Sequence, residues 1–205
     1  MTRGTARLTW IAATFMLVST VTRFGLALFS DSTYTLGEWL RFMAIGTGFD
    51  LAVLPCFLLP WSIYDAVMPE FDAPSRRARI ERLWAISWAG VFLSMFLVIG
   101  ASEFAFWAEF NSRFDFIAVD YLVYTHEVLG NIAESYPLAL WLGLVFVISL
   151  AACRLTWPRR PLAVKAGWKY RTLRAVGVIV ATVTGLGIAD VRYAENASSG
   201  YVTQL

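Results

Sequence analysis

Residues 36–61 read LGEWLRFMAIGTGFDLAVLPCFLLPW, 26 positions with three formal charges, Glu38, Arg41 and Asp50. Wound as an α-helix, this stretch is about 39 Å long, more than the ~30 Å hydrocarbon thickness of a bilayer. An apolar run of this length is too long for a core helix of a small soluble domain. Within lipid, a helix satisfies every backbone N–H and C=O inside its own segment. The stretch therefore reads as a membrane-spanning helix.

Four further runs share this character: Leu8–Phe29, Leu83–Trp107, Pro137–Cys153 and Leu173–Ala189. The whole chain of 205 residues is 58% hydrophobic and 16% charged, with a mean hydropathy of +0.60. A soluble domain carries about 25% charged residues. The fold class that follows is all-α, an integral membrane bundle of five transmembrane helices. No small-x-small cleavage site follows the first run, so it reads as a retained span and not a signal peptide. The last two runs are short and are expected to stand nearly upright.

Basic residues sort by side. Arg3 and Arg7 precede the first span; Arg76, Arg77, Arg79 and Arg82 follow the second; Arg154, Arg159, Arg160, Lys165, Lys169, Arg171 and Arg174 follow the fourth. The alternate segments hold only Arg113 and Arg192. By the positive-inside bias, the N-terminus faces the cytoplasm and the C-terminus the outside. The net charge of +2 is thus a membrane signature, not one of nucleic-acid binding, and both basic loops can meet anionic headgroups. Ser75 is placed to cap a helix that Arg76 begins and that runs on into the third span. Trp157 and Trp168 read as interface aromatics. Cys56 and Cys153 fall within spans and read as small apolar filler, not as a disulfide. In the last span, Gly177, Ala181, Gly185 and Ala189 recur every fourth residue, a small-residue ladder suited to close helix packing within the bundle.

Between spans three and four lies EFNSRFDFIAVDYLVYTHEVLGNIAESYP, residues 109–137. Phe114, Ile117, Ala118, Tyr121, Leu122, Val128, Leu129 and Ile132 fall on one helical face, while Asp120, Glu127, Asn131 and Glu134 fall on another. This predicts an extracytoplasmic amphipathic helix within 108–136. It is acidic, so its partner is protein, a cation, or a headgroup held by nearby arginines; a strut packed on the bundle is the plainest reading. The predicted organisation is a membrane domain over 1–189 and an extracytoplasmic tail over 190–205.

The run from Phe106, FxxxFxSRFDFIAVDYLVYTHEVLGNIxESYP, resembles the segment between spans three and four of lipoteichoic acid synthase-like phosphoglycerol transferases, of the alkaline phosphatase and sulfatase superfamily. Phe49-Asp50-Leu51 and Arg192-Tyr193-Ala194-Glu195 are similar to that family as well. An arginine often precedes the Phe-Asp-Leu run in the family; here Thr47-Gly48 stand there. The resemblance spans nearly the whole chain and implies the membrane half of a bacterial inner-membrane enzyme. In the family, an extracytoplasmic domain uses a threonine nucleophile and a divalent metal, often manganese, to transfer glycerol phosphate from phosphatidylglycerol. That domain is expected to follow the tail as a separate unit. No catalytic residue and no metal ligand is assigned in this chain, whose one histidine is His126, and no cofactor is expected in it. Phosphoethanolamine transferases share a related architecture.

Charges within the spans are the candidate site. Arg23 and Arg41 lie toward the outer ends of spans one and two, Glu38 and Glu103 at similar depth, and Asp50 near mid-membrane. Ionisable groups in lipid are paired, wetted or functional. In one reading, Arg23 and Arg41 grip a lipid phosphate, the headgroup closed over by Tyr121, Tyr124 or His126. In another, either arginine pairs internally with Glu38, Asp50 or Glu103. A proton or ion path through Asp50 is the third. The expected function is anchoring, and presentation of phosphatidylglycerol-type lipid to the catalytic domain. The alternatives are a membrane scaffold for a separate envelope protein and a small transporter subunit.

Overall fold

The computed structural model describes residues 2–29, 35–68, 75–110, 137–158 and 166–198, with backbone alone at 109, 110, 138 and 189–198. Five helices account for almost all of these residues: α1 (Arg3–Phe29), α2 (Leu36–Val67), α3 (Arg76–Phe110), α4 (Leu138–Thr156) and α5 (Trp168–Ser198). Each is long and apolar enough to cross a membrane. The expected amphipathic helix at 108–136 lies outside the described residues beyond the end of α3.

Helix starts follow from local chemistry. Thr35 caps α2 with a full capping box: its Oγ1 accepts from the Glu38 backbone N–H at 3.4 Å, and Glu38 Oε2 accepts from the Thr35 N–H at 2.8 Å. Ser75 Oγ accepts from the Ala78 N–H at 3.1 Å, so the cap read from the sequence is present and α3 runs on into the third span. The helix α2 continues through Pro55 and Pro60, each of which removes one ladder donor. Membrane helices tolerate such breaks where neighbouring groups compensate. Both α2 and α5 outrun the apolar segments that announced them, α2 to Val67 and α5 to Ser198.

The helices pack in the order α5–α2–α1–α3–α4, so α1 sits between α2 and α3 while α4 and α5 lie at the flanks. Alternate helix ends gather at one face of the bundle. The start of α1, end of α2, start of α3, end of α4 and start of α5 form what is called here the basic end. The core lies in this half: Leu8 and Ile11 of α1, Trp61 of α2, Ala85, Ile86, Ala89 and Leu93 of α3, Cys153 of α4, and Trp157 just after it. Trp157 is thus buried against Trp10 and Trp61, with ring centroids at 5.1 and 5.9 Å, and does not stand out at the interface as the sequence suggested. Trp168 is exposed. Further along, Phe15, Phe57 and Phe96 meet with centroids 4.9–5.3 Å apart.

In lipid, no hydrophobic driving force separates buried from exposed leucines, so association rests on close packing and polar contacts. Two glycines show this. Gly185 of α5 lies against the Ala52 carbonyl of α2, and Gly90 of α3 against Leu150 of α4; a Cβ at either would overlap its neighbour. The four-residue ladder on α5 serves only in part. Gly185 is buried on α2, but Gly177 and Ala181 are exposed, and Gly177 has open space beside it. Each four-residue step turns about 40° past a full circle at 3.6 residues per turn, so the row drifts off the contact face. The face that meets α2 runs instead through Ala175, Val178, Thr182 and Gly185, at alternating steps of three and four, with Arg174 beside Ala175.

Candidate functional site

Two charge centres bridge the helices. In the half away from the basic end, Arg23 of α1 pairs with Asp50 of α2. Asp50 lies about 21 Å along α2 from Leu36, and Arg23 about 9 Å before the end of α1. Arg23 is 3% exposed. Its Nη2 donates to Asp50 Oδ2 and, at 3.3 Å, to Ser19 Oγ one turn earlier on α1. Gly46 lies one turn before Asp50 on the same face of α2, and a Cβ there would overlap the Arg23 guanidinium. The bare backbone of Gly46 therefore creates the slot that the arginine fills. The Nε and Nη1 atoms of Arg23 are buried and have no hydrogen-bond partner among the described residues.

The other residues singled out from the sequence are dispersed. Arg41 is exposed near the start of α2 and has no ion-pair partner among the described residues. Glu38 is exposed and engaged in the capping box with Thr35. Glu103 is half-buried on α3. Tyr121, Tyr124 and His126 lie outside the described residues. Of the candidate set, then, the structure brings Arg23 and Asp50 together. That contact was one of several pairings open at the level of sequence.

The second centre, at the basic end, was missed. Arg7 of α1 donates from Nη1 to Asp65 Oδ1 of α2 at 3.0 Å and from Nη2 to Glu81 Oε1 of α3. Arg174 of α5 donates from Nη2 to the other oxygen of Asp65 at 3.2 Å, and from Nη1 to the hydroxyls of Thr2 and Thr5, each at 3.4 Å. Arg171 Nη1 donates to the backbone carbonyls of Met68 and Asp65, closing the exposed C-terminal end of α2. Arg174 also lies 5.9 Å from the Tyr170 ring centroid, within cation–π range. Gly4 leaves the room: a Cβ there would overlap both Arg174 and Asp65. One carboxylate hub, Asp65, whose side chain is 7% exposed, thus ties α1, α2 and α5, and Glu81 adds α3 through Arg7.

The sequence signal for this clasp was faint. In the sequence Arg7 and Arg174 stand out only as members of a charge bias. Asp65 and Glu81 were the carboxylates that bias left unexplained, one near the end of span two and one just before span three. The capping box was the plainer omission, since Thr35-Leu-Gly-Glu38 carries the motif outright.

Chemically, both centres hold charge, each as arginine side chains on carboxylates. Among the described residues, no group of three or more His, Cys, Asp or Glu is placed to hold a metal ion. The fold and its charge centres define a multi-pass helical membrane protein. Compared with protein-family models the chain matches none, and no solved structure matches it.

Proposed function

We propose that this chain is the membrane-embedded part of a lipoteichoic acid synthase-like phosphoglycerol transferase in a bacterial inner membrane. Its N-terminus is cytoplasmic, and it anchors an extracytoplasmic catalytic domain that lies outside the chain. It presents a phosphatidylglycerol-type lipid to that domain, where the divalent metal, manganese by the resemblance, would act.

The observation that carries the reading is the course of α5. The apolar run of its span ends at Ala189 in the sequence, but the helix backbone continues to Ser198 through Arg192-Tyr193-Ala194-Glu195, the short run that resembles the family. Nine further residues add about 14 Å of helix. A rigid stalk of that length, rooted by Gly185 on α2, suits an anchor that must hold a catalytic centre at fixed height above the headgroups. The exposed Arg41 stands on the same side, where a guanidinium fork can take a lipid phosphate. The buried Arg23 is committed to Asp50 and serves the bundle instead.

The test is site-specific photo-crosslinking from position 193 in cells. A sulfatase-type domain, in the same polypeptide or a partner, is the expected product. Products confined to proteins lacking such a domain would overturn the anchoring role. For lipid presentation, Arg41→Ala should lower the phosphatidylglycerol that co-purifies with the chain; unchanged lipid would remove that part of the reading.

A further inference from the structure

The first turns of α3 carry Arg76, Arg77, Arg79 and Arg82, all exposed, and their guanidinium groups have no hydrogen-bond or ion-pair partner among the described residues. Glu81 is the carboxylate within these turns, and it points inward onto Arg7. On an isolated helix Glu81 would be the natural partner of Arg77, one turn before it. The clasp at the basic end takes it instead. The division is clean along the helix: Ala78, Glu81, Ala85 and Ala89 turn toward the bundle, while the four arginines turn away.

Directly along the same outer surface lie Ile80, Leu83, Trp84 and Trp88, between 44% and 57% exposed. Arg77 and Trp84 are seven residues apart and so share a face, and Trp88 follows one turn on. The two indoles pack edge to face at 5.7 Å. Four cations at the start of a helix gain nothing from its dipole, whose positive end they crowd. The surface thus combines a cationic collar, without a carboxylate partner among the described residues, with an aromatic and aliphatic strip that continues into the membrane-crossing part of α3. A soluble acidic protein would complement the collar but would leave the strip unmatched. An anionic phospholipid complements both, its phosphate at the arginines and its acyl chain along Ile80, Trp84 and Trp88.

We infer that the outer face of α3 from Arg76 to Trp88 is a binding site for anionic phospholipid in the leaflet at the basic end. The site is independent of the donor-lipid role proposed above, since Arg41 stands on the opposite side of the membrane domain. The ligand chemistry is a phosphate diester, and a free phosphate could in principle supply the same oxygens.

The experiment uses the full chain in mixed phosphatidylglycerol and phosphatidylcholine micelles, with retained lipid counted by native mass spectrometry. The wild type should retain phosphatidylglycerol preferentially. Joint replacement of Arg76, Arg77, Arg79 and Arg82 by glutamine should reduce that preference by about an order of magnitude or more. An unchanged ratio would overturn the site. In a second arm, inorganic phosphate is added to the wild type. Retained phosphatidylglycerol should persist; its displacement would identify a free-anion site and overturn the lipid assignment. A third measurement does not depend on the quadruple variant folding. Brominated phosphatidylglycerol should quench wild-type tryptophan fluorescence more than brominated phosphatidylcholine, and the difference should vanish in Trp84→Phe/Trp88→Phe. Equal quenching by the two lipids would overturn the site as well.

Discussion

The two charge centres solve the same problem in different ways. At the basic end, Asp65 offers one oxygen to Arg7 and the other to Arg174, Arg7 has Glu81 as a second partner, and Arg174 has two threonine hydroxyls. Loss of any one group leaves the others partly satisfied. In the opposite half, Arg23 has one carboxylate and one serine, with two of its nitrogens lacking partners among the described residues. Redundancy is found near the helix ends, where several elements converge. Deeper along the helices, the pair joins α1 to α2, and a glycine creates the space for it. The deeper pair is therefore the more fragile of the two.

This contrast can be broken most sharply at Asp50. Asp50→Ala leaves a buried, uncompensated guanidinium and should cost about 3–5 kcal/mol in a detergent unfolding titration. The paired change Arg23→Met/Asp50→Leu should recover most of that loss, because well-packed apolar groups replace buried ion pairs at little or no cost. If the double variant is as unstable as the single one, the pair does more than balance charge.

Asp65→Ala should cost less, about 1.5–3 kcal/mol, since Glu81 and the threonines continue to hold Arg7 and Arg174. A loss as large as that of Asp50→Ala would refute the claimed redundancy. Gly185→Ala tests packing between α2 and α5 without touching either charge centre. It should destabilise by about 1–3 kcal/mol through overlap with the Ala52 carbonyl, whereas Gly177→Ala, facing open space, should leave thermal stability unchanged or slightly raised. The smallest expected effect is Ser75→Ala. It removes the cap at the start of α3 and should cost about 1 kcal/mol by the same unfolding measurement.

Much of the architecture was legible because lipid imposes a simple rule: a long apolar run must be a helix. The runs beginning at Leu8, Leu36, Leu83 and Leu173 each lie within a helix, and the run from Pro137 lies within α4 but for its first residue, which is the N-cap. Their ends were less legible. The helix α5 continues past Ala189 because backbone hydrogen bonding does not stop where hydropathy does. The site was less legible still. Arg23 could be paired with any of three carboxylates on sequence grounds, and Glu38, placed among them, is held by Thr35 through a contact only three residues long. Arg7 and Asp65 are 58 positions apart, and nothing in the spacing of either links them.

The sequence alone determined five helices long and apolar enough to cross a membrane, and where the cap at Ser75 stands. Both follow from interactions within one segment, between a residue and its solvent or its neighbour one turn away. Which helices touch, which carboxylate meets which arginine, and that α1 lies between α2 and α3 were decided by tertiary structure. Those outcomes depend on which side chains face inward once the helices have packed, on the gaps that Gly4 and Gly46 open to receive them, and on the close backbone approach that Gly185 allows.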